Sequence, residues 1–133
     1  MKDLSMHNSK LHLTTTASFD GSLKFPQIVQ ILMEEGVESY QVDLIQNLKT
    51  FYFPTGEVQI ESFDYKGPEI ALEFSQEKVI AAIRSSQAGR LSYPEFLNEI
   101  LKAGVTQYTV YLQGRRAIYF GRLGDFHVEH FPQ

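Results

Sequence analysis

The chain has 133 residues, a formal charge of −4 and no cysteine, and 43% of its residues are hydrophobic. This length fits one domain with a substantial core, and the composition excludes the disordered and collagen-like classes of protein. The charge gives no overall attraction for nucleic acid or anionic lipid, and the missing thiols exclude disulfides and cysteine-ligated metals.

The first predicted element is a short helix within residues 3–16, which the run of three threonines at its end is expected to weaken. This stretch has no continuous apolar core of the length that a secretory signal needs. No later stretch approaches the roughly 20 apolar residues that cross a bilayer. We therefore expect a cytoplasmic protein without a membrane partner.

A helix and three strands are predicted for residues 21–63. Apolar residues at i, i+3, i+4 and i+7 mark the helix, and Gly36 is placed to end it. Alternating residues from Tyr40 to Leu44 predict a first strand with one apolar face. Turns within "IQNLKTFYF" and at "PTGE" lead to two further strands. The apolar positions of the helix are Phe25, Ile28, Val29 and Leu32.

Residues 64–73 are expected to connect this unit to a second one, because a Gly-Pro pair interrupts both periodicities. Residues 74–89 predict another helix, with Ser75 as its N-cap. In "SYPEF" Ser92 stands three residues before Glu95, the spacing of a capping box, so a further helix begins there. Gly104 is placed to end that helix, and three more strands follow.

The second unit repeats the first. A shift of 68 positions aligns residues 21–63 with residues 89–131 without a gap, and eleven of the 43 pairs are identical. Background residue usage would give roughly three. The interpretation is an α+β fold in which a helix plus a three-stranded antiparallel meander is duplicated, with the helices packed on one face. We expect one domain, residues 1–133, made of repeats at about 1–66 and 67–133; the meanders form either one six-stranded sheet or two packed sheets.

The chain also resembles a known family over essentially its whole length, most clearly from Ser75 to Pro132. The pattern "YPEF…AGV…Y.V.L", an aromatic strand, a Gly-acid turn and "VE.FP" are similar to the YbcV-like family of bacterial and prophage proteins, as is "SQEKVIAAIRSSQAGRLSYPEF". The resemblance implies a domain of unknown function, and some members of that family are called "phage envelope protein". It implies no catalytic or binding residue.

The candidate site residues are Tyr111, Tyr119, His127 and Glu129. If alternate residues of each strand face the helices, these four are expected to share the opposite face, as Gln59 and Glu61 do in the first repeat. Two rings, an imidazole and a carboxylate could bind a small polar or aromatic ligand. His127 and Glu129 alone are an incomplete metal site, so no metal is predicted.

No catalytic residue or cofactor is predicted, because the chain has no phosphate-binding loop, hydrolase elbow or HExxH motif. Three arginines near the last turns are too few on an acidic chain to predict nucleic-acid binding. The hypothesis is a non-catalytic binding protein that forms a homodimer or binds another protein through exposed strand edges. The alternatives are a small-molecule-binding protein or minor enzyme that uses the four candidate residues, and a phage-related structural protein.

Overall fold

The computed structural model describes residues 8–132, which form four helices and six strands. The helices are α1 (Ser9–Asp20), α2 (Phe25–Glu34), α3 (Gln76–Gln87) and α4 (Tyr93–Lys102). The strands are β1 (Ser39–Asp43), β2 (Leu48–Tyr52), β3 (Val58–Ser62), β4 (Val105–Tyr111), β5 (Arg116–Gly121) and β6 (Phe126–His130). Two helices precede a three-stranded antiparallel meander in each half, so the predicted α+β fold and its duplicated unit are confirmed.

Helix α4 begins and ends where its sequence predicts. The Ser92 hydroxyl accepts a hydrogen bond from the Glu95 N–H at 3.2 Å, and the Glu95 carboxylate accepts one from the Ser92 N–H at 2.8 Å. Gly104 follows the helix with a φ of 90°, a left-handed conformation that glycine adopts at little cost. Ser75 caps α3 by accepting from the Lys78 N–H, as predicted.

Helix α1 continues past residue 16 to Asp20, so the predicted end was wrong; residues 3–7 of that prediction lie outside the described part of the chain. The hydroxyls of Thr14 and Thr15 donate to the carbonyl oxygen of Leu11 at 2.8 and 3.2 Å. Both threonines are buried against the rest of the protein. Their burial and these bonds outweigh the low helix propensity of threonine.

The six strands form one antiparallel sheet in the order β3-β2-β1-β4-β5-β6, which decides between the two arrangements that the sequence left open. The halves meet where β1 pairs with β4. In that pair Gln41 lies opposite Thr109, and these residues are 68 positions apart, which is the offset of the repeat. A pseudo-twofold axis therefore passes between them and relates the two halves.

The helices cover one face of the sheet, and the core lies between them. Leu32 of α2 and Leu97 of α4 are fully buried there, as are Val42 and Phe51 of the sheet. The linker between the halves, residues 63–75, returns from β3 to α3 without regular secondary structure. None of the helices in the described part of the chain is long and apolar enough to span a membrane.

Candidate functional site

The four candidate residues do not share one face of the sheet. Tyr108 pairs with Tyr119, and Tyr119 pairs with His127, so these side chains point to the helix-covered face. Glu129 follows His127 by two positions and points the same way. Tyr111 lies on the opposite face, so the predicted grouping was wrong.

In the first repeat, Gln59 and Glu61 also lie on the helix-covered face and not on the predicted opposite face. Lys49 pairs with Glu61 and Phe51 pairs with Gln59, which places Gln59 and Glu61 beneath helix α1. The error came from the third strand of each repeat. Its apolar residues, Phe126 and Val128 in β6, suggest a core-facing side, but they lie on the face without helices.

His127 and Glu129 join β6 to helix α3. The His127 Nε2 lies 3.1 Å from one Glu129 carboxylate oxygen, and Arg84 donates to the other at 2.7 Å. Gln76 bonds the remaining imidazole nitrogen at 3.0 Å. Burial alone would raise the pKa of Glu129, but the hydrogen bonds from Arg84 and His127 outweigh burial and lower it. The hydrogen-bonding groups of these four side chains are thus paired with one another. Among residues 8–132 no cluster of three metal-ligating side chains is found.

In the first repeat, Glu61 corresponds to Glu129, and a buried lysine lies opposite it in the strand pair. Lys49 is 4% exposed, and its ammonium lies 4.7 Å from the ring centre of Tyr40 and 5.3 Å from that of Phe51. Burial lowers the pKa of Lys49 to about 8, against the opposing effect of the Glu61 carboxylate. His12 of α1 lies 2.6 Å from Glu61, which ties this helix to the sheet edge.

Four tyrosines fill the centre of the core beneath α2 and α4. The hydroxyls of Tyr93 and Tyr108 lie 2.5 Å apart, and the rings of Tyr108 and Tyr119 stack at 5.2 Å. Burial raises the pKa of each of these phenols and that of Tyr40. The phenols therefore stay neutral near pH 7 and serve as hydrogen-bonding core residues.

The face of the sheet without helices, called the open face here, carries three rows of side chains that follow the strand order from β3 to β6. The first row is Val58, Tyr52, Ser39, Tyr111, Arg116 and His130. The second row is Ile60, Thr50, Gln41, Thr109, Ile118 and Val128. The third row is Ser62, Leu48, Asp43, Gln107, Phe120 and Phe126.

Large apolar side chains on the open face are exposed at both edges. Val58 is 51% exposed, Ile60 57% and Phe126 60%. The centre is polar, and there the Gln41 amide donates to Gln107 at 2.6 Å. Two apolar patches thus lie on either side of a polar centre, related by the pseudo-twofold axis.

A groove of about 890 Å³ begins at one end of the open face. One wall is formed by Met33, Gly36 and Val37, where the chain passes from α2 into β1. The other wall is formed by Tyr111, Arg116 and Ile118 of the β4–β5 hairpin. Of the four candidate site residues, Tyr111 is the one that lines this groove.

Comparison with known proteins gives the family. The family model described as "Protein of unknown function (DUF1398)" matches residues 21–129. The chain belongs to this family. An uncharacterized protein of Mycobacterium bovis and uncharacterized proteins of two Mycobacterium tuberculosis strains are each 30% identical to it over 110 residues. The aligned part is 80% of this chain and 66% of each mycobacterial protein.

The DUF1398 match covers helices α2, α3 and α4 and all of the sheet except His130, the last residue of β6, and it begins just after α1. The buried pair Lys49 and Glu61 lies inside the match, whereas His12, which contacts Glu61, lies outside it. Both walls of the groove and every residue of the open face except His130 also belong to the DUF1398 region. The mycobacterial relatives extend beyond the aligned part by about a third of their length.

Proposed function

We propose that the protein is a non-catalytic interaction protein that pairs with a second copy of itself through the open face. The observation that carries this proposal is the exposure of Val58, Ile60 and Phe126 on a sheet face that no described helix covers. Exposed apolar patches, such as the two at the edges of this face, mark interaction sites in soluble proteins. The proposal extends the family assignment, which gives no activity.

A second copy suits this face because the face carries few charges. Among its eighteen side chains, Asp43 and Arg116 carry formal charges and His130 is the one imidazole. Two such faces can meet with little repulsion between like charges. Antiparallel sheets pack face to face in this way with their strands about 30° apart. A twofold dimer uses the same patch on both copies, and a face that is itself pseudo-symmetric fits that requirement.

The alternative of a small-molecule site made by Tyr111, Tyr119, His127 and Glu129 is less favoured, because the sheet separates Tyr111 from the other three. His127 and Glu129 are also already bonded to α3. The phage-related role and the YbcV-like resemblance stay predictions.

Light scattering coupled to size-exclusion chromatography tests the pairing. We expect the mass to rise with concentration from 15.2 kDa toward twice that value. Burying an apolar side chain such as Ile60 stabilises an interface by about 1.5–3 kcal/mol, so Ile60→Glu should weaken dimerisation at least about tenfold. Phe126→Glu should act in the same way on the other patch.

Leu123→Glu is the matched control, since Leu123 is 88% exposed but lies in the β5–β6 turn outside the three rows. This variant should dimerise like the wild type. A mass that stays at that of one chain at millimolar concentration would rule out self-association. Equal dimerisation of Ile60→Glu and the wild type would rule out the open face as the dimer interface.

A further inference from the structure

Strand β6 lies at one edge of the sheet, where every second residue directs its backbone groups outward. Before the strand, the Gly121 N–H donates to the Asp125 carbonyl oxygen at 2.8 Å, and after it the Phe131 N–H donates to the Arg115 carbonyl oxygen at 2.9 Å. Hydrogen-bonded and non-hydrogen-bonded pairs alternate along an antiparallel ladder. The odd-numbered residues of β6 therefore bond to β5, and the even-numbered residues direct their N–H and carbonyl groups away from it.

The outward backbone groups belong to Phe126, Val128 and His130. Across the described residues, no hydrogen bond reaches the N–H or carbonyl group of these three on the outer side of the strand. The strand also contains neither proline nor lysine, two residue types with which natural sheets protect their edges. An edge of this kind is a template for another strand.

The sequence of β6 is complementary to itself when two copies of the strand run antiparallel. With Val128 opposite Val128 of the second copy, Phe126 lies opposite His130, and each of these residues exchanges both of its backbone hydrogen bonds. A shift by two residues would leave some of these groups unpaired. In the same register His127 lies opposite Glu129, so an imidazole meets a carboxylate and no like charges face each other. Such cross-strand pairs stabilise a sheet.

The other edge strand, β3, is less suited to a second copy. The repeat offset of 68 relates His127 to Gln59 and Glu129 to Glu61, so two β3 strands would place an amide, not an imidazole, opposite the carboxylate. The backbone of Asn8 also exchanges two hydrogen bonds with the Gln59 side chain, each of 3.0 Å, which brings the start of α1 to this strand. Strand β6 is therefore the edge that favours self-pairing.

We propose that β6 pairs antiparallel with β6 of a second copy of this chain, centred on Val128, so that the sheets of the two copies become one continuous sheet. The twofold symmetry of this pairing closes the contact at two copies. The proposal goes beyond pairing through the open face. The edge groups lie in the plane of the sheet and the open face lies across it, so the edge contact can join open-face pairs to one another.

Thiol crosslinking in solution tests the edge contact, and the chain has no cysteine of its own. Val128→Cys and Ile118→Cys are each combined with Ile60→Glu, which weakens pairing through the open face. The reagent is dibromobimane, which alkylates two nearby thiols and fluoresces when both have reacted. In the proposed pair the two Val128 Cα atoms lie about 5.5 Å apart. Ile118 is one strand further from the edge in the same row of the open face, so its two copies lie about 14 Å apart.

We expect Val128→Cys to crosslink at least about tenfold faster than the matched control Ile118→Cys. Equal rates would overturn the proposal, because they would indicate contact through the open face. No crosslinking of Val128→Cys at millimolar concentration would also overturn it. Failure of the open-face pairing is distinguishable, since it appears as equal dimerisation of Ile60→Glu and the wild type and leaves the crosslinking of Val128→Cys intact.

Val128→Pro tests the backbone bonds of the edge directly. The substitution removes an N–H that points away from β5, and an edge strand accepts proline at such a position. Far-UV circular dichroism should show the wild-type fold. In the Ile60→Glu background, light scattering should show association at least about tenfold weaker than without the proline. Unchanged association of the folded variant would overturn the pairing of β6 with its copy.

Discussion

At the scale of single residues, Lys49 is the least ordinary group in the core. A buried ammonium loses its hydration, which costs free energy. Cation–π attraction to the faces of Tyr40 and Phe51 offsets part of that cost. The Glu61 carboxylate across the strand pair favours the charged form, yet burial dominates and lowers the pKa. The second repeat has Ala117 at this position, so the charge is particular to the first repeat.

The lowered pKa predicts how stability depends on pH. Because the folded state binds the Lys49 proton more weakly than the unfolded state, the free energy of unfolding should rise as pH increases from about 8 toward 10.5. Lys49→Met has similar shape and no charge, so it should lack this rise. Between pH 7.5 and 9.5 the wild type should gain about 1–2 kcal/mol relative to the variant in urea unfolding.

The comparison with Lys49→Met removes the contribution of the tyrosines. Burial raises the pKa of Tyr40, Tyr108 and their neighbours, so ionisation of the unfolded phenols lowers stability at high pH in both proteins. Parallel stability curves for the two proteins would show that Lys49 keeps its ordinary pKa in the folded state.

Residue-level prediction from the sequence failed at His127 and Glu129 for a physical reason. Alternation along a strand separates two sets of side chains, but it does not say which set faces the core. In β6 the apolar set, Phe126 and Val128, lies on the open face, while the polar set is buried beneath α3 by its bonds to Arg84. Choosing the face required the register between strands, which the residues of β6 alone do not contain.

At the scale of helices and strands, the two repeats begin their second helices differently. Ser92 caps α4 through its hydroxyl, whereas Lys24 stands at the same place before α2 and makes no side-chain cap. In both helices the side chain three residues after the capping position accepts a hydrogen bond from the backbone N–H of the capping residue. Gln27 accepts from the Lys24 N–H, and Glu95 accepts from the Ser92 N–H, each at 2.8 Å. The first repeat therefore lacks one stabilising hydrogen bond.

Exchange of these caps should move stability in opposite directions. Ser92→Ala removes the hydroxyl acceptor and should lower the free energy of unfolding by about 1 kcal/mol. Lys24→Ser supplies an acceptor at an extended backbone position and should raise it by about 0.5–1 kcal/mol. Urea unfolding of the two variants checks both signs. A loss of stability in Lys24→Ser would mean that the lysine contributes by another contact.

Helices and turns were predicted well where local chemistry determines them, as at the Ser92 cap and at Gly104. Helix α1 was not, because its threonines are stabilised by contacts with distant parts of the chain. The number of sheets was open for the same reason. The β1–β4 pair joins residues 68 positions apart, and each repeat taken alone contains no partner for its first strand other than β2 or β5.

At the scale of the whole molecule, the β1–β4 pair makes the two repeats depend on each other. Tyr40 lies opposite Val110 and Val42 opposite Tyr108, so the buried residues at the centre of the sheet come from both halves and lie side by side. A three-stranded meander alone buries too little apolar surface to be stable. We propose on this basis that residues 1–133 form one domain, with repeats at about 1–66 and 67–133.

A single domain should unfold in one transition, even when only one repeat is weakened. Phe51→Ala removes a fully buried ring from the first repeat and should cost about 3–5 kcal/mol, and Leu97→Ala in the second should cost about 2–5 kcal/mol. For each variant, far-UV circular dichroism and tyrosine fluorescence should give coincident urea midpoints. The seven tyrosines are divided between the repeats, with three in the first and four in the second, so their fluorescence reports both halves. If Phe51→Ala unfolded in two separate steps, one near the wild-type midpoint and one at lower urea, the halves would be unfolding independently.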